Sequence, residues 1–131
     1  MSGIYRLKGV VKHYDWGGTT FIPSLLSIDN KENKPFAEYW MGTHPLGVSL
    51  VETNDGKLEK LTEIAGDLPY LFKAQQVKEM LSIQAHPSKA AAAIEFAREN
   101  EEGIPLNSPI RNYKDDNHKP EMLVALGDFY L

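Results

Sequence analysis

The chain has 131 residues, 42% of them hydrophobic, 24% charged and 10% aromatic, the proportions of a soluble globular protein rather than a disordered or fibrous one. Its net charge is −4 at pH 7, and no basic run is present to displace the counterions of a nucleic-acid backbone, which excludes DNA and RNA as expected partners. Zero cysteine excludes disulfides, thiol nucleophiles and thiolate zinc sites, so any metal must be held by nitrogen and oxygen.

Met1 to Val10 has no apolar core of signal-peptide length, and no run approaches a membrane span. One cytoplasmic domain covering 1–131, with no membrane association, is therefore expected. Ile4 to Tyr14 alternates loosely and reads as a strand, which the Gly17-Gly18 pair ends. Thr19 or Thr20 is placed to cap a short helical turn through Leu26. Ser27 to Lys34 is a polar loop. Phe36 to Gly42 and Val48 to Glu52 have the aromatic and branched content of strands, followed by an Asn54-Asp55-Gly56 turn and a helix over Leu58 to Ala65. Leu68 to Gln76 and Met80 to His86 read as consecutive strands. Pro87 stops the second, and Ser88 caps a helix whose expected apolar face is Ala90, Ala93, Ile94 and Ala97, closed by Gly103. Ile104 to His118 is a long loop, and Pro120 to Leu126 resumes strand character. The fold class is mainly β with helical segments.

Strand periodicity puts Ser82, Gln84 and His86 on one face and Leu81, Ile83 and Ala85 on the other. An amide oxygen and an imidazole nitrogen two residues apart can reach a common divalent ion, while the same pattern also describes a solvated strand face. The carboxylate that would offset the ion's charge is best sought at Glu121, in Asn117-His118-Lys119-Pro120-Glu121. Lys119 and His118 beside it are natural proton-transfer groups, or else members of a charged surface turn. Lys73 ends an apolar run, where it either recognises a phosphate or carboxylate or extends its ammonium to solvent. Trp16 and Trp40 could stack on a sugar, core packing being the simpler role for Trp40. His44 reads as a loop residue and His13 as a strand residue.

Five ordered segments carry a resemblance: Trp16-Gly17-Gly18; Ala37-Glu38-Tyr39-Trp40-Met41-Gly42-Thr43-His44-Pro45; Leu68-Pro69-Tyr70-Leu71-Phe72-Lys73; Ser82-Ile83-Gln84-Ala85-His86-Pro87; and Arg111-Asn112-Tyr113-Lys114-Asp115-Asp116-Asn117-His118-Lys119-Pro120-Glu121. Together the chain resembles the N-terminal, metal-binding portion of type I mannose-6-phosphate isomerase, from about Tyr14 onward. The resemblance implies a partial cupin-type jelly roll, a zinc ion and a sugar phosphate substrate, with mannose 6-phosphate and fructose 6-phosphate exchanged through a cis-enediol. It implies Gln84, His86 and Glu121 as three of four zinc ligands, and Lys119 and His118 as the proton-transfer groups. Lys73, Trp16, Ser82 and Lys89 are implied at the substrate.

The family's fourth ligand, a histidine, and its phosphate-binding arginine fall beyond Leu131. His13, His44 and His118 do not match the missing ligand. A truncated jelly roll is therefore expected, ending at Gly127-Asp128-Phe129-Tyr130-Leu131. Its unpaired edges invite association without fixing an oligomeric state. The alternatives to an isomerase are a non-catalytic metal- or sugar-binding cupin module and an inactive fragment.

Overall fold

Gly9 splits the expected strand Ile4 to Tyr14 in two. In the computed structural model, which describes residues 3–128, Arg6–Lys8 (β1) and Val10–Lys12 (β2) join different sheets. A Cβ at position 9 would lie 2.3 Å from the Trp40 carbonyl oxygen and 2.7 Å from the Tyr39 ring. The Gly9 N–H donates to Tyr39 Oη at 2.7 Å, an approach that only glycine permits. Met1, Ser2 and Phe129 to Leu131, which enter the N-terminal and jelly-roll readings, lie outside the described residues.

The chain divides into two units, Met1–Ser82 and Ile83–Leu131. The first continues with Phe21–Leu25 (α1), Glu38–Met41 (β3), Leu50–Glu52 (β4), Leu58–Lys60 (β5), Leu61–Ala65 (α2) and Phe72–Gln75 (β6). Two antiparallel sheets form, in the orders β1-β4-β5 and β2-β3-β6. In the second, Val10 faces Trp40 and Trp40 faces Lys73. Alternation places Glu38 and Trp40 of β3 inside, and the core of the unit comprises Ile22, Phe36, Ala37, Trp40 and Val51. Trp40 is thus a core residue.

Three details of this unit differ from the sequence reading. Leu58 to Lys60 is a strand rather than the first turn of a helix, because the turn at residues 53–57 folds it back on β4, and the helix begins only at Leu61. Thr20 occupies the N-cap of α1 without a side-chain cap bond. Its place is taken by Gln76, whose Oε1 accepts from Phe21 N at 3.0 Å and Ile22 N at 3.4 Å while its Nε2 donates to Thr20 Oγ1 at 3.0 Å. The strand expected from Leu68 starts at Phe72, and Gly17 and Gly18 form isolated bridges to Val77 and Phe36.

The second unit is built on Lys89–Glu101 (α3), 13 residues long. Ser88 is its N-cap as expected, Oγ accepting from Ala91 N at 3.2 Å, and Gly103 with φ 72° lies just beyond its end. The buried face is another matter. Ala90, Ala93, Ile94 and Ala97 are exposed, and Ala92 and Glu99 are buried instead. Glu99 turns that face inward because it holds the following loop. Its Oε1 accepts from Asn112 N at 3.0 Å and Oε2 from Tyr113 N at 2.8 Å, beside the Arg111 guanidinium at 3.6 Å.

Neither 80–86 nor 120–126 forms a strand among the described residues. Alternation specifies which faces a segment presents, whereas a ladder needs a neighbouring backbone. Here the apolar residues of both stay outside: Ile83 is 103% exposed and Met122 93%.

Replacing Ser88 by Ala removes the cap bond of α3 and should cost about 1 kcal/mol in urea unfolding. An unchanged midpoint would show that the helix start is held by something else. Burial opposes the Glu99 charge, but the N–H groups of Asn112 and Tyr113, the Asn112 amide and the Arg111 guanidinium outweigh it and hold the carboxyl below its ordinary value of 4.5. Its stabilisation is therefore complete above that value and is lost as pH falls through the lower folded one. Unfolding measured from pH 7 down to 3 should lose less stability in Glu99→Gln than in the parent chain. Parallel acid limbs would contradict this.

Candidate metal centre

The two segments that lack ladder pairing in the second unit meet at their polar side chains. His86 Nε2 lies 3.9 Å from Glu121 Oε2, with the His86 side chain 31% exposed and that of Glu121 59% exposed. A cleft of about 610 Å³ is lined by Gln84 and His86, by Arg111 and Tyr113 of the long loop, and by Lys119. Ser88 locates the Gln84 to Pro87 segment by starting α3 immediately after it, and Glu99 with Arg111 locates the loop. Glu95 and Arg98, an ion pair one turn apart on α3, also face the cleft.

Donor chemistry can be tested against a metal. Two donors bonded to one zinc ion at about 2.0–2.2 Å stand about 3.4 Å apart at the tetrahedral angle and at most about 4.2 Å apart in any arrangement. The 3.9 Å between His86 and Glu121 is within reach of a single ion. One imidazole, one carboxylate and the Gln84 amide form a nitrogen-oxygen set that suits zinc and similar divalent ions. Among the described residues no three His, Cys, Asp or Glu side chains gather to hold a metal. The expected set has only two such residues, its third donor being an amide.

Other expected site residues are placed separately. Lys89 is the first residue of α3, exposed and outside the cleft lining, and His118 is exposed and also outside it. In the first unit, Ser82 is exposed at the last position. Trp16 stacks on Tyr14 with ring centroids 5.5 Å apart. Lys73, on β6, is only partly solvated and is partnered: its Nζ donates to Glu38 Oε1 at 3.0 Å, the side chain being 31% exposed. Partial burial and then the Glu38 charge push the Tyr14 phenol up, with Lys73 opposing.

Sequence reasoning passed over three residues that matter here. Glu38 is buried, and its carboxylate also accepts from Trp40 Nε1 at 2.6 Å and Gln75 Nε2 at 3.2 Å. Its position in an alternating strand with Trp40 inside was the available signal, since the same periodicity puts residue 38 inside. Glu99 and Arg111 gave no comparable signal: a glutamate in a polar helix and an arginine in a polar loop are each most simply solvent-facing.

Comparison with known proteins follows the same segments. The sequence model of the family described as phosphomannose isomerase type I, catalytic domain, matches residues 4–131. Mannose-6-phosphate isomerase of Escherichia coli (strain K12) is 39% identical over 140 residues, covering 95% of this chain and 36% of its own length. The Schizosaccharomyces pombe (strain 972) enzyme is 40% identical over 144 residues, covering 96% and 32%. Among solved structures, zinc-bound mannose 6-phosphate isomerase matches with a TM-score of 0.74 at 38% identity, over 87% of this chain and 33% of that one. The Salmonella typhimurium enzyme bound to substrate (f6p) and zinc matches with a TM-score of 0.73 at 37% identity, over 88% and 33%. The chain therefore spans about a third of the length of these relatives. Its fold is mainly β with helical segments, part of a cupin-type jelly roll. No helix among the described residues is long and apolar enough to cross a membrane.

Glu38→Ala would leave the Lys73 ammonium, the Trp40 N–H and the Gln75 amide without their shared acceptor. Because Lys73 is partly solvated, the cost should fall at about 2–3 kcal/mol in urea unfolding, below that of a fully buried pair. A loss under about 1 kcal/mol would mean that the cluster is worth no more than a surface ion pair.

Proposed function

Because the chain belongs to the type I phosphomannose isomerase family, we propose that it forms the metal-binding part of a zinc-dependent isomerase interconverting mannose 6-phosphate and fructose 6-phosphate. His86 and Glu121, 3.9 Å apart beside a cleft lined also by Gln84 and Lys119, carry this reading. Residues 1–131 are then the N-terminal portion of a cupin-type enzyme working in the cytoplasm on a soluble sugar phosphate.

Gln84 Oε1, His86 Nε2 and the Glu121 carboxylate would hold the ion. Zinc, when bound, supplies Lewis acidity toward substrate oxygen on which negative charge develops. Lys119 and His118 serve the proton transfers. A base takes the proton from C2 of the aldose as the C1 carbonyl oxygen gains one, giving the cis-enediol; loss of the C2 hydroxyl proton and delivery of a proton to C1 then give the ketose. Lys119 lines the cleft, so its amine is the better placed of the two to reach a bound sugar. Lys73, Trp16, Ser82 and Lys89 take the substrate-binding roles, Lys73 as an ammonium oriented by Glu38.

Zinc titrated into the chain against a competing chelator should bind, and Gln84→Ala, His86→Ala and Glu121→Ala should each weaken binding by about tenfold or more. In the protein as its gene encodes it, a chelator should abolish conversion of mannose 6-phosphate, and added zinc should restore it. Turnover unaffected by the chelator, or zinc binding indifferent to all three substitutions, sinks the reading. Zinc and sugar phosphate binding without turnover would favour a non-catalytic module instead.

A further inference from the structure

We propose that the buried Glu99–Arg111 pair is a positioning clamp for Glu121, fixing through α3 the distance between the two donor-bearing segments of the metal centre. The proposal rests on the metal reading above. It begins from burial: the side chains of Arg111 and Glu99 are 1% and 4% exposed, 3.6 Å apart at Nε and Oε2. The polar atoms of the pair tie α3 to the loop that follows it. Glu99 accepts from the N–H groups of Asn112 and Tyr113 and from the Asn112 amide. Arg111 donates to the carbonyls of Tyr113 at 2.6 Å and Ile104 at 2.5 Å and to Asn100 Oδ1 at 2.7 Å, with its guanidinium 4.9 Å from the Phe96 ring centroid. The loop is thereby stitched to the last turns of α3 at its start, Ile104, and at residues 111–113.

The other end of α3 carries the other donors. Gln84 and His86 directly precede the Ser88 cap, so the helix, about 20 Å long at 1.5 Å per residue, is a strut between them and the clamp. Neither donor segment has ladder pairing among the described residues, so no sheet fixes their separation. With α3 intact but the clamp released, the free path to Glu121 runs from Glu101 and is 20 residues; with the clamp, it runs from Tyr113 and is 8 residues. Loop-closure probability falls as about the three-halves power of length, so releasing the clamp should weaken a site that needs both donors by about fourfold.

The test uses the 131-residue chain, with zinc alone as the probe competed by a chelator. Glu99→Leu combined with Arg111→Met removes the bonds to the loop without stranding a buried charge. It should keep the α3 signal in circular dichroism and bind zinc about fourfold more weakly. In a Glu121→Ala background the same pair of substitutions should cost nothing further, because the clamp acts only through that carboxylate. Should the double variant lose its helical signal, Arg111→Lys provides the milder probe, with a smaller loss in the same direction and the same dependence on Glu121. Wild-type zinc affinity in the clamp variant overturns the proposal, as does a loss that persists without Glu121, which would mark general support of the fold. If Glu121→Ala itself binds zinc normally, that carboxylate is no ligand and the clamp fails, while indifference to Gln84→Ala and His86→Ala as well would sink the metal reading, an outcome distinct from the others.

Discussion

A carboxylate withdrawn from water must be met by donors or give up its charge, and both units of this chain are organised around one that is met. In the first, Glu38 collects Lys73, Trp40 and Gln75. In the second, Glu99 collects two backbone N–H groups, an amide and the Arg111 guanidinium. Among the described residues no buried side-chain nitrogen or oxygen lacks a hydrogen-bond partner. Such networks add little net stability over apolar packing of the same shape, yet each donor they recruit fixes the segment that carries it. Glu38 fixes the ammonium on β6 against β3, and Glu99 fixes a loop that would otherwise be free.

This explains which parts of the fold could be read from the sequence. The N-cap at Ser88 is local chemistry, a hydroxyl three residues before the N–H it accepts from, and the structure has it. Strand β3 follows from period-two burial, with Trp40 inside. The buried face of α3 was not legible because it is defined by a distant partner. Apolar content favours Ala90, Ala93, Ile94 and Ala97, whereas Arg111 and the loop backbone draw Glu99 inward and carry Ala92 with it. Gly9 misled for the same reason: its neighbours in sequence suggest one strand, and the tight approach of Trp40 and Tyr39 that splits it comes from elsewhere in the chain.

The candidate site shows the same division. His86 and Glu121 were paired on the grounds that an imidazole on one polar face needs a carboxylate to offset the charge of an ion, and they lie 3.9 Å apart. The strands invoked to aim them are absent among the described residues. Alternation divides 81–86 into a polar and an apolar face, but says nothing of what would hold the segment.

What holds them in this unit is helical and ionic. A metal site on unpaired segments depends on how much of its geometry exists before the ion arrives, since every donor that must be gathered subtracts from affinity. Here the gathering is done in two steps of different character: a capped helix with a defined start next to Gln84 and His86, and a buried ion pair at its far end that takes hold of the returning chain. The first depends on a hydroxyl and is insensitive to pH in the neutral range. The second depends on a carboxylate held below its ordinary value by N–H donors and a guanidinium, and it weakens only in acid. Across the neutral range the scaffold on which these side chains stand therefore remains intact at both ends of α3.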